Sequence, residues 1–493
     1  MWSLFFDSLT LLVQPGNMAV MFGGVLLGLV FGSLPGLSTT MAVALMLPLT
    51  FVFSSTLGIS MLVAIYVGGI SGSCVSAILL RIPGTAASIA TTFDGFPLAQ
   101  KGQPVRALGT AIVASFFGGI IGLAILITAA PYIARIAIKF GPVEYSALAL
   151  MALTLVGTLS GGSMLKGLLA ATFGLALSLV GIAPIDAHPR YTFEIQGLIG
   201  GLAIVPFLIG LYAVPQLVLQ VGRRSESRVA LDLKVRGFGV TLADIRRNIT
   251  NILRSALIGM GIGSLPGIGS AAANLVSYGV ARQFSKNPEA FGTGTTEGIW
   301  APETSNNASV AGALLPLITL GIPGGGVTAV MLGGFTIHNI QPGPLLFRTN
   351  PEAIAAVYAA FLLAAVLVLL TQLFSIRLFP RVLQTPRRFL IPAVFMITVT
   401  GVYISDYRVF DIFVMFAVGC VGITFERYRF PLAPVVLGFV IGPILEVNLR
   451  RALMLSKGDW LPFLTKPLSA TFLLVALSIV VFGILRRRAS SRP

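Results

Sequence analysis

Gly32-Ser33-Leu34-Pro35-Gly36 sits inside a long apolar run, and the same five residues return as Gly263-Ser264-Leu265-Pro266-Gly267, 231 positions later (263 − 32). A second element follows in the same order. Ile82-Pro83-Gly84 returns as Ile322-Pro323-Gly324, 240 positions later (322 − 82). Two matches in register mark an internal duplication. Proline lacks a backbone donor and glycine admits dihedrals closed to other residues, so each Pro-Gly interrupts a helix. Inside a bilayer such interruptions survive only where neighbouring protein or a water-filled cavity satisfies the freed backbone groups. The spacing therefore predicts broken helices that line a path or a site.

The surrounding composition fixes the solvent. The chain has 493 residues, of which 56% are hydrophobic and 10% charged, against about 25% charged in soluble domains. Its mean hydropathy is +0.93. Apolar runs recur from Met18 to Leu485, and they are continuous, unlike the alternating segments of about 10 residues in a membrane β-barrel. The expected fold is an all-α integral membrane protein with on the order of 12 crossings, some broken and some re-entrant. The net charge of +16 does not indicate nucleic acid, because the basic residues lie in short loops and in Arg486-Arg487-Arg488 after the last apolar run, as cytoplasmic anchoring requires. Cys74 and Cys420 lie in apolar stretches and form neither a disulfide framework nor a metal site. Met1 to Gln14 lacks a basic n-region, so no cleaved signal peptide is expected.

A hydrophilic stretch, 222–254, separates a first membrane repeat, 1–221, from a second, 255–493. It carries Arg223, Arg224, Arg228, Lys234, Arg236, Arg246, Arg247 and Arg254 and is placed in the cytoplasm with the C-terminus. Counting back from the C-terminus puts Arg377 to Arg388 on the same side and makes Glu352 to Phe374 run inward. Counting back from 222–254 through runs near 195–217, 163–183 and 143–159 makes Val105 to Ala130 run outward, beginning beside Lys101 and Arg106. These two runs hold equivalent places in the repeat, so the halves are expected to be inverted, the arrangement that builds a substrate site near the bilayer midplane.

The breaks supply the candidate substrate-binding residues. After Ser33, Pro35 and Gly36, a helix can restart at Ser38, Thr39 or Thr40, and its free N–H groups suit a carboxylate. Pro266, Gly267, Ser270 and Asn274 offer the same in the second half. A single Pro-Gly would be read as a plain kink; the matched pair favours a site. Pro83, Gly84, Thr85 and Ser88, with Thr91, Thr92 and Asp94 beyond, read as the tip of a re-entrant hairpin or as an interfacial loop, as do Pro323 and Gly324 with Thr328. The most polar intramembrane stretch is Pro302-Glu303-Thr304-Ser305-Asn306-Asn307. Polar groups at that depth are costly and functional by default. Glu303, Ser305, Asn306 and Asn307 are the candidate coupling-ion ligands, and Asn306 and Asn307 also candidate substrate ligands. The plainer reading, in which Pro302 opens a helix and Glu303 favours its N-terminus, leaves two adjacent asparagines unexplained. Arg81 could meet a carboxylate or extend to the interface. Asp186-Ala187-His188 and His338 are too few to hold a metal.

No Gly-Lys-Ser/Thr P-loop, His-Glu-x-x-His or nucleophile elbow occurs, so neither ATP hydrolysis nor enzymatic chemistry is expected and energy must come from an ion gradient or a partner chain. Taken together, Gly32-Ser33-Leu34-Pro35-Gly36-Leu37, Ile82-Pro83-Gly84-Thr85, Phe93-Asp94-Gly95-Phe96-Pro97, Pro302 to Ala308 and Leu320-Gly321-Ile322-Pro323-Gly324 resemble the large membrane subunit of the tripartite tricarboxylate transporter family, from about Gly23 onward. That resemblance implies a bacterial inner-membrane uptake system for citrate-like tricarboxylates or other carboxylates. It also implies a sodium or proton gradient, a small four-helix membrane subunit and a periplasmic substrate-binding protein. A stand-alone inverted-repeat anion carrier or exchanger would share the same breaks; a membrane-embedded enzyme would need an acidic or histidine cluster that the scattered acids do not supply.

The charge pattern predicts that single cysteines in 222–254 or after Leu485, in a chain lacking Cys74 and Cys420, react with an impermeant thiol reagent only from the cytoplasmic side. Labelling from the periplasm would invert the topology.

Overall fold

The computed structural model describes residues 1–159, 163–221, 239–267, 269–376 and 387–490. The arginines and lysine at 223, 224, 228, 234 and 236 lie outside the described residues, as do Arg377 and Arg381. The described chain is helical apart from loops and one short hairpin, Gly181–Ile182 against Pro189–Arg190. Six of the described helices are long and apolar enough to cross a bilayer, and eight shorter apolar helices of 10–17 residues accompany them.

The helices in chain order are α1 (Trp2–Leu12), α2 (Pro15–Ser33), α3 (Thr39–Met46), α4 (Ser55–Leu80), α5 (Thr91–Gln100) and α6 (Pro104–Ala137), followed by α7 (Pro142–Leu159), α8 (Met164–Ser178) and α9 (Ile204–Val221). Then come α10 (Leu242–Gly263), α11 (Gly269–Phe284), α12 (Glu297–Leu320), α13 (Gly326–Ile337), α14 (Leu346–Thr349) and α15 (Pro351–Ser375). The chain closes with α16 (Arg387–Asp406), α17 (Val409–Arg427), α18 (Leu432–Leu455), α19 (Leu461–Thr465) and α20 (Pro467–Ser490). The second part of the hydrophilic 222–254 stretch is thus the first half of α10. Thr241 and Asp244 close a capping box at its start, and Asn248 and Asn251 turn into the protein. The run near 195–217 becomes helical only at Ile204, because Gly201 takes a positive φ of 80° just before it.

Two helices form the centre. In α4 every residue from Leu57 to Leu79 is buried, and in α12 every residue from Gly298 to Thr319. Their surroundings repeat. Helix α2 packs on α4 and α10 packs on α12, both through glycines. A Cβ at Gly32 would meet Gly69 O at 2.0 Å, and a Cβ at Gly259 would meet Ser305 O at 2.1 Å. Both central helices end in a left-handed residue, Arg81 (φ 59°) and Gly321 (φ 73°), and the Ile-Pro-Gly segments follow at once. Those segments return to the first breaks. A Cβ at Gly84 would lie 2.1 Å from Gly32 O, and one at Gly324 2.9 Å from Gly263 O, while Gly267 N–H donates to Gly324 O at 2.9 Å. The outer helices then exchange partners. Helix α6 packs on α12 and α15 on α4, with Gly118 so close to Thr304 O that a Cβ would stand 2.1 Å away. Neither half can therefore keep its long helix covered without the other.

Helices α7, α8, α18 and α20 form a further layer, and α17 backs α9. Two open grooves among the described residues, one in this layer and one between α3 and α16, are almost wholly apolar. One, of about 340 Å³, is lined by residues such as Phe173, Phe410 and Val435; the other, of about 360 Å³, by Leu45, Pro48 and Ile404. Both have the chemistry of acyl chains and neither contains a charged group.

Close packing at glycine makes a signed prediction. Gly259→Ala forces backbone apart and should cost about 1–3 kcal/mol. Gly261→Ala, two residues away with open space around it, should leave stability unchanged or raise it by up to about 1 kcal/mol through helix propensity. Thermal unfolding of the detergent-solubilised variants reads both; equal effects would refute the assigned packing.

Candidate functional site

The polar residues of α12 do not face an open channel. They are knotted into one buried network that crosses between the halves. Pro302 lies within α12, five residues after its first residue Glu297, so it does not open the helix. Glu303 is fully buried. Its Oε1 accepts a short hydrogen bond from the Thr91 hydroxyl at the start of α5, and its Oε2 accepts from the Ser115 hydroxyl of α6 at 3.2 Å and from Asn306 Nδ2 at 3.1 Å. The same Asn306 amide donates to Ala87 O at 3.0 Å. Asn307 Nδ2 donates to Asn306 Oδ1 at 2.6 Å and to Glu303 O at 3.2 Å, while Ser71 of α4 donates to Asn307 Oδ1 at 2.6 Å. Gln372 of α15 donates to Ser71 O at 3.2 Å. Among the described residues, no Lys, Arg or His forms an ion pair with Glu303. A small void beside Ser71, Ser115 and Asn307 borders this cluster, and Gln372 Oε1 is buried without a partner among the described residues.

The network continues into α11. Ser305 donates to Ala273 O at 2.9 Å and Ser277 to Ala301 O at 3.0 Å. Asn274 donates to Pro302 O at 3.3 Å and accepts from Ala90 N–H at 2.7 Å. Asn274 thus ties the second-half helix α11 to the first-half segment that holds Pro83, Gly84, Thr85 and Ser88. In that segment Thr85 caps Ala87 N–H and Ser88 donates back to Thr85 O. Ser270, near the start of α11, bonds the Tyr66 hydroxyl of α4.

The first-half break is built as its sequence predicts. Gly36 takes a positive φ of 91°, and Ser38 accepts from Met41 N–H at 3.1 Å as the N-cap of α3. Ser33 is buried and donates to Val30 O. Thr39 rests against Gly69 of α4, and Thr40 faces Gly326 at the start of α13. The structure distributes the first breaks and the polar residues of α12, read from sequence as one candidate site, as follows. Glu303, Asn306 and Asn307 bond one another directly, and Ser305 and Asn274 join the network through backbone groups of Ala273, Pro302 and Ala90. Gly267 instead lies against Val156 of α7, where a Cβ would stand 2.7 Å from the Val156 Cα. Each restarted helix pairs with the other half's second break: α3 with α13, α11 with the 86–90 turn.

The roles of several members were missed from sequence. Ser71, Ser115 and Thr91 are short hydroxyls in helices, which ordinarily bond their own backbone. Gln372 was the detectable one, a lone amide in an otherwise apolar run. Asp94, named from sequence with Thr91 beside the first hairpin, has a role that the sequence did not show. It is fully buried and accepts from Gly292 N–H at 3.0 Å, Gly294 N–H at 2.7 Å, Thr295 N–H at 2.9 Å and the Tyr278 hydroxyl at 2.8 Å. It clamps α5 of the first half to the loop before α12 in the second. Arg81 is exposed beside Phe96, with its guanidinium 5.8 Å from the ring centroid. Asp186 is committed to Arg450 at 2.7 Å, and Glu446 takes Arg190 through two bonds of 2.7 and 3.0 Å. Backbone hydrogen bonding, then Arg450 and Arg190, hold the Asp186 carboxyl below its usual range. Among the described residues no three potential metal ligands cluster.

A network of this kind gives separable mutant effects. Asn307→Ala removes partners from Ser71, Asn306 and Glu303 O and should reduce transport at least tenfold while the protein inserts normally, a loss of about 1–3 kcal/mol in the site. Asp94→Ala strands three backbone donors at about 1–3 kcal/mol each and should lower the yield of folded protein. Transport and size-exclusion profiles together separate the two; a normal profile and full transport in either would refute its assignment.

Comparison with known proteins follows the same lines. Residues 18–437 match the model of the Tripartite tricarboxylate transporter TctA family. Over 480 residues the chain is 36% identical to an uncharacterized 52.8 kDa protein in the TAR-I ttuC' 3'region of Agrobacterium vitis, covering 97% of this chain and 95% of that one. A shorter relative, an uncharacterized protein in the TAR-II ttuC' 3'region of the same organism, is 36% identical over 231 residues, which is 47% of this chain and 96% of that one. No solved structure matches.

Proposed function

The chain belongs to the Tripartite tricarboxylate transporter TctA family, a family of transporters and not of enzymes, and from that premise we propose that it is the translocating subunit of an ion-gradient-driven uptake system for citrate-like tricarboxylates or related organic carboxylates. It is a multi-pass membrane protein; its place in this reading is the bacterial inner membrane, with 222–254 and the C-terminus cytoplasmic and the two halves inverted. The family works as one component of a three-part system. The partners proposed here are a small four-helix membrane subunit and a periplasmic protein that captures the substrate and delivers it.

One observation carries the coupling step. Glu303 is a buried carboxylate within a membrane-spanning bundle, ringed by hydroxyls and an amide from both halves, with no basic partner among the described residues. An isolated charge there would cost several kcal/mol. A sodium ion or proton removes that cost. Sodium would find hard oxygen donors in Glu303, Asn307 Oδ1, Ser71 and Ser115, groups drawn from α12, α4 and α6. Because Thr91, Ser115 and Ser71 belong to the first half and Glu303, Asn306 and Asn307 to the second, cation occupancy changes how tightly the halves are held. That is the condition for linking an ion gradient to alternating exposure of a substrate site.

Uptake of labelled citrate by cells expressing all three components should require an intact sodium or proton gradient and the binding protein, and should persist when ATP is depleted but the gradients are clamped. Accumulation that survives collapse of both gradients would refute the proposal.

A further inference from the structure

The crevice between α3 and α13 is built differently from the Glu303 cluster, and its chemistry is that of an anion receptor. Helix α13 has 12 residues and starts on Gly324-Gly325-Gly326, with Gly325 extended and no side chain capping the first turn. The Gly325 N–H is satisfied by Thr328 Oγ1 at 2.9 Å, which leaves the N–H groups that follow as the positive end of the helix. A Cβ at Gly325 would meet nothing within 4 Å. A Cβ at Gly326 would stand 3.0 Å from the Tyr212 hydroxyl of α9 and 3.7 Å from Thr40 Oγ1 of α3. The Tyr212 hydroxyl is itself buried and has no hydrogen-bond partner among the described residues, although a buried hydroxyl ordinarily finds one. Pro35, Gly36, Thr40, Gly325 and Gly326 are half-exposed while Gly32, Ser33, Pro323 and Gly324 around them are buried.

Resting on the transporter reading, we propose that the N-terminus of α13, with the Tyr212 and Thr40 hydroxyls, binds one carboxylate group of the transported organic acid. Three kinds of donor converge there: backbone N–H groups at a glycine start, a phenol and an aliphatic hydroxyl. Glycine at 325 and 326 lets the anion approach the backbone directly. Nothing in the crevice is an acid that would repel the ligand, and no Lys or Arg is among the residues that form it. A neutral receptor binds a carboxylate without trapping it.

The test uses the full chain in nanodiscs, with radiolabelled citrate as probe and unlabelled succinate, acetate and trimethyl citrate as competitors. Citrate binds the wild type; succinate and acetate compete, and the uncharged triester does not. Tyr212→Phe, which keeps the ring and removes only the hydroxyl, should weaken citrate binding by about tenfold or more. Gly326→Ala, which fills the cradle, should do the same with an unchanged size-exclusion profile. Citrate affinity at the wild-type value in both variants, with gradient-driven uptake intact, overturns the subsite and leaves the transporter reading standing. Absence of binding by any carboxylate to the wild-type chain, or equal competition by the triester, overturns the subsite and the carboxylate reading together.

Discussion

The structure is organised around a carboxylate that the membrane interior should not tolerate. Glu303 sits in the N-terminal third of a helix buried from Gly298 to Thr319, and its two oxygens are held by a hydroxyl from α5, a hydroxyl from α6 and the neighbouring Asn306 amide. Neutral donors lessen the cost of burial but do not supply a countercharge. The surrounding architecture serves to bring those donors within reach. Gly118 lets α6 lie against α12 at Thr304, and Gly259 does the same for α10 at Ser305. Larger residues would hold the helices apart and leave the donors short of the acid.

The two central helices hold corresponding places in the chain but carry different groups. The offset of 240 that relates the two Ile-Pro-Gly segments places Val63, Tyr66 and Val67 of α4 opposite Glu303, Asn306 and Asn307 of α12. The backbone contacts are retained while the chemistry is not. One central helix carries the acid and amides. The other carries apolar residues and Tyr66, whose hydroxyl reaches Ser270 of the second half. A symmetric pair of buried acids would repel; the two central helices keep a single buried acid, on α12.

Much of this was legible in the chain. Proline and glycine within an apolar run leave few alternatives, so Pro35-Gly36, Ile82-Pro83-Gly84 and their copies could be read as breaks, and Glu303, Asn306 and Asn307 stood out as polar residues where polarity is costly. What remained hidden depends on contacts between residues far apart in sequence. Ser71, Thr91 and Ser115 look like ordinary helical hydroxyls until their partners, Asn307 and Glu303, are placed beside them. Asp94 could be noticed but not interpreted, because its ligands are backbone N–H groups of Gly292, Gly294 and Thr295 that carry no side-chain signal. The exchange of partners, α6 onto α12 and α15 onto α4, has no local signature. For that reason the contact of Gly267 with Val156 could not be read from the chain.

The central claim is that Glu303 is where the driving cation acts. It is tested most directly by citrate transport in proteoliposomes as a function of cation concentration, comparing the wild type with Glu303→Gln, which keeps the shape and one acceptor oxygen but turns the other into a donor and removes the charge. If Glu303 couples, the apparent citrate affinity of the wild type rises with sodium or proton concentration, and that of Glu303→Gln becomes independent of it, with exchange surviving and accumulation lost. The same cation dependence and the same accumulation in both proteins would contradict the account.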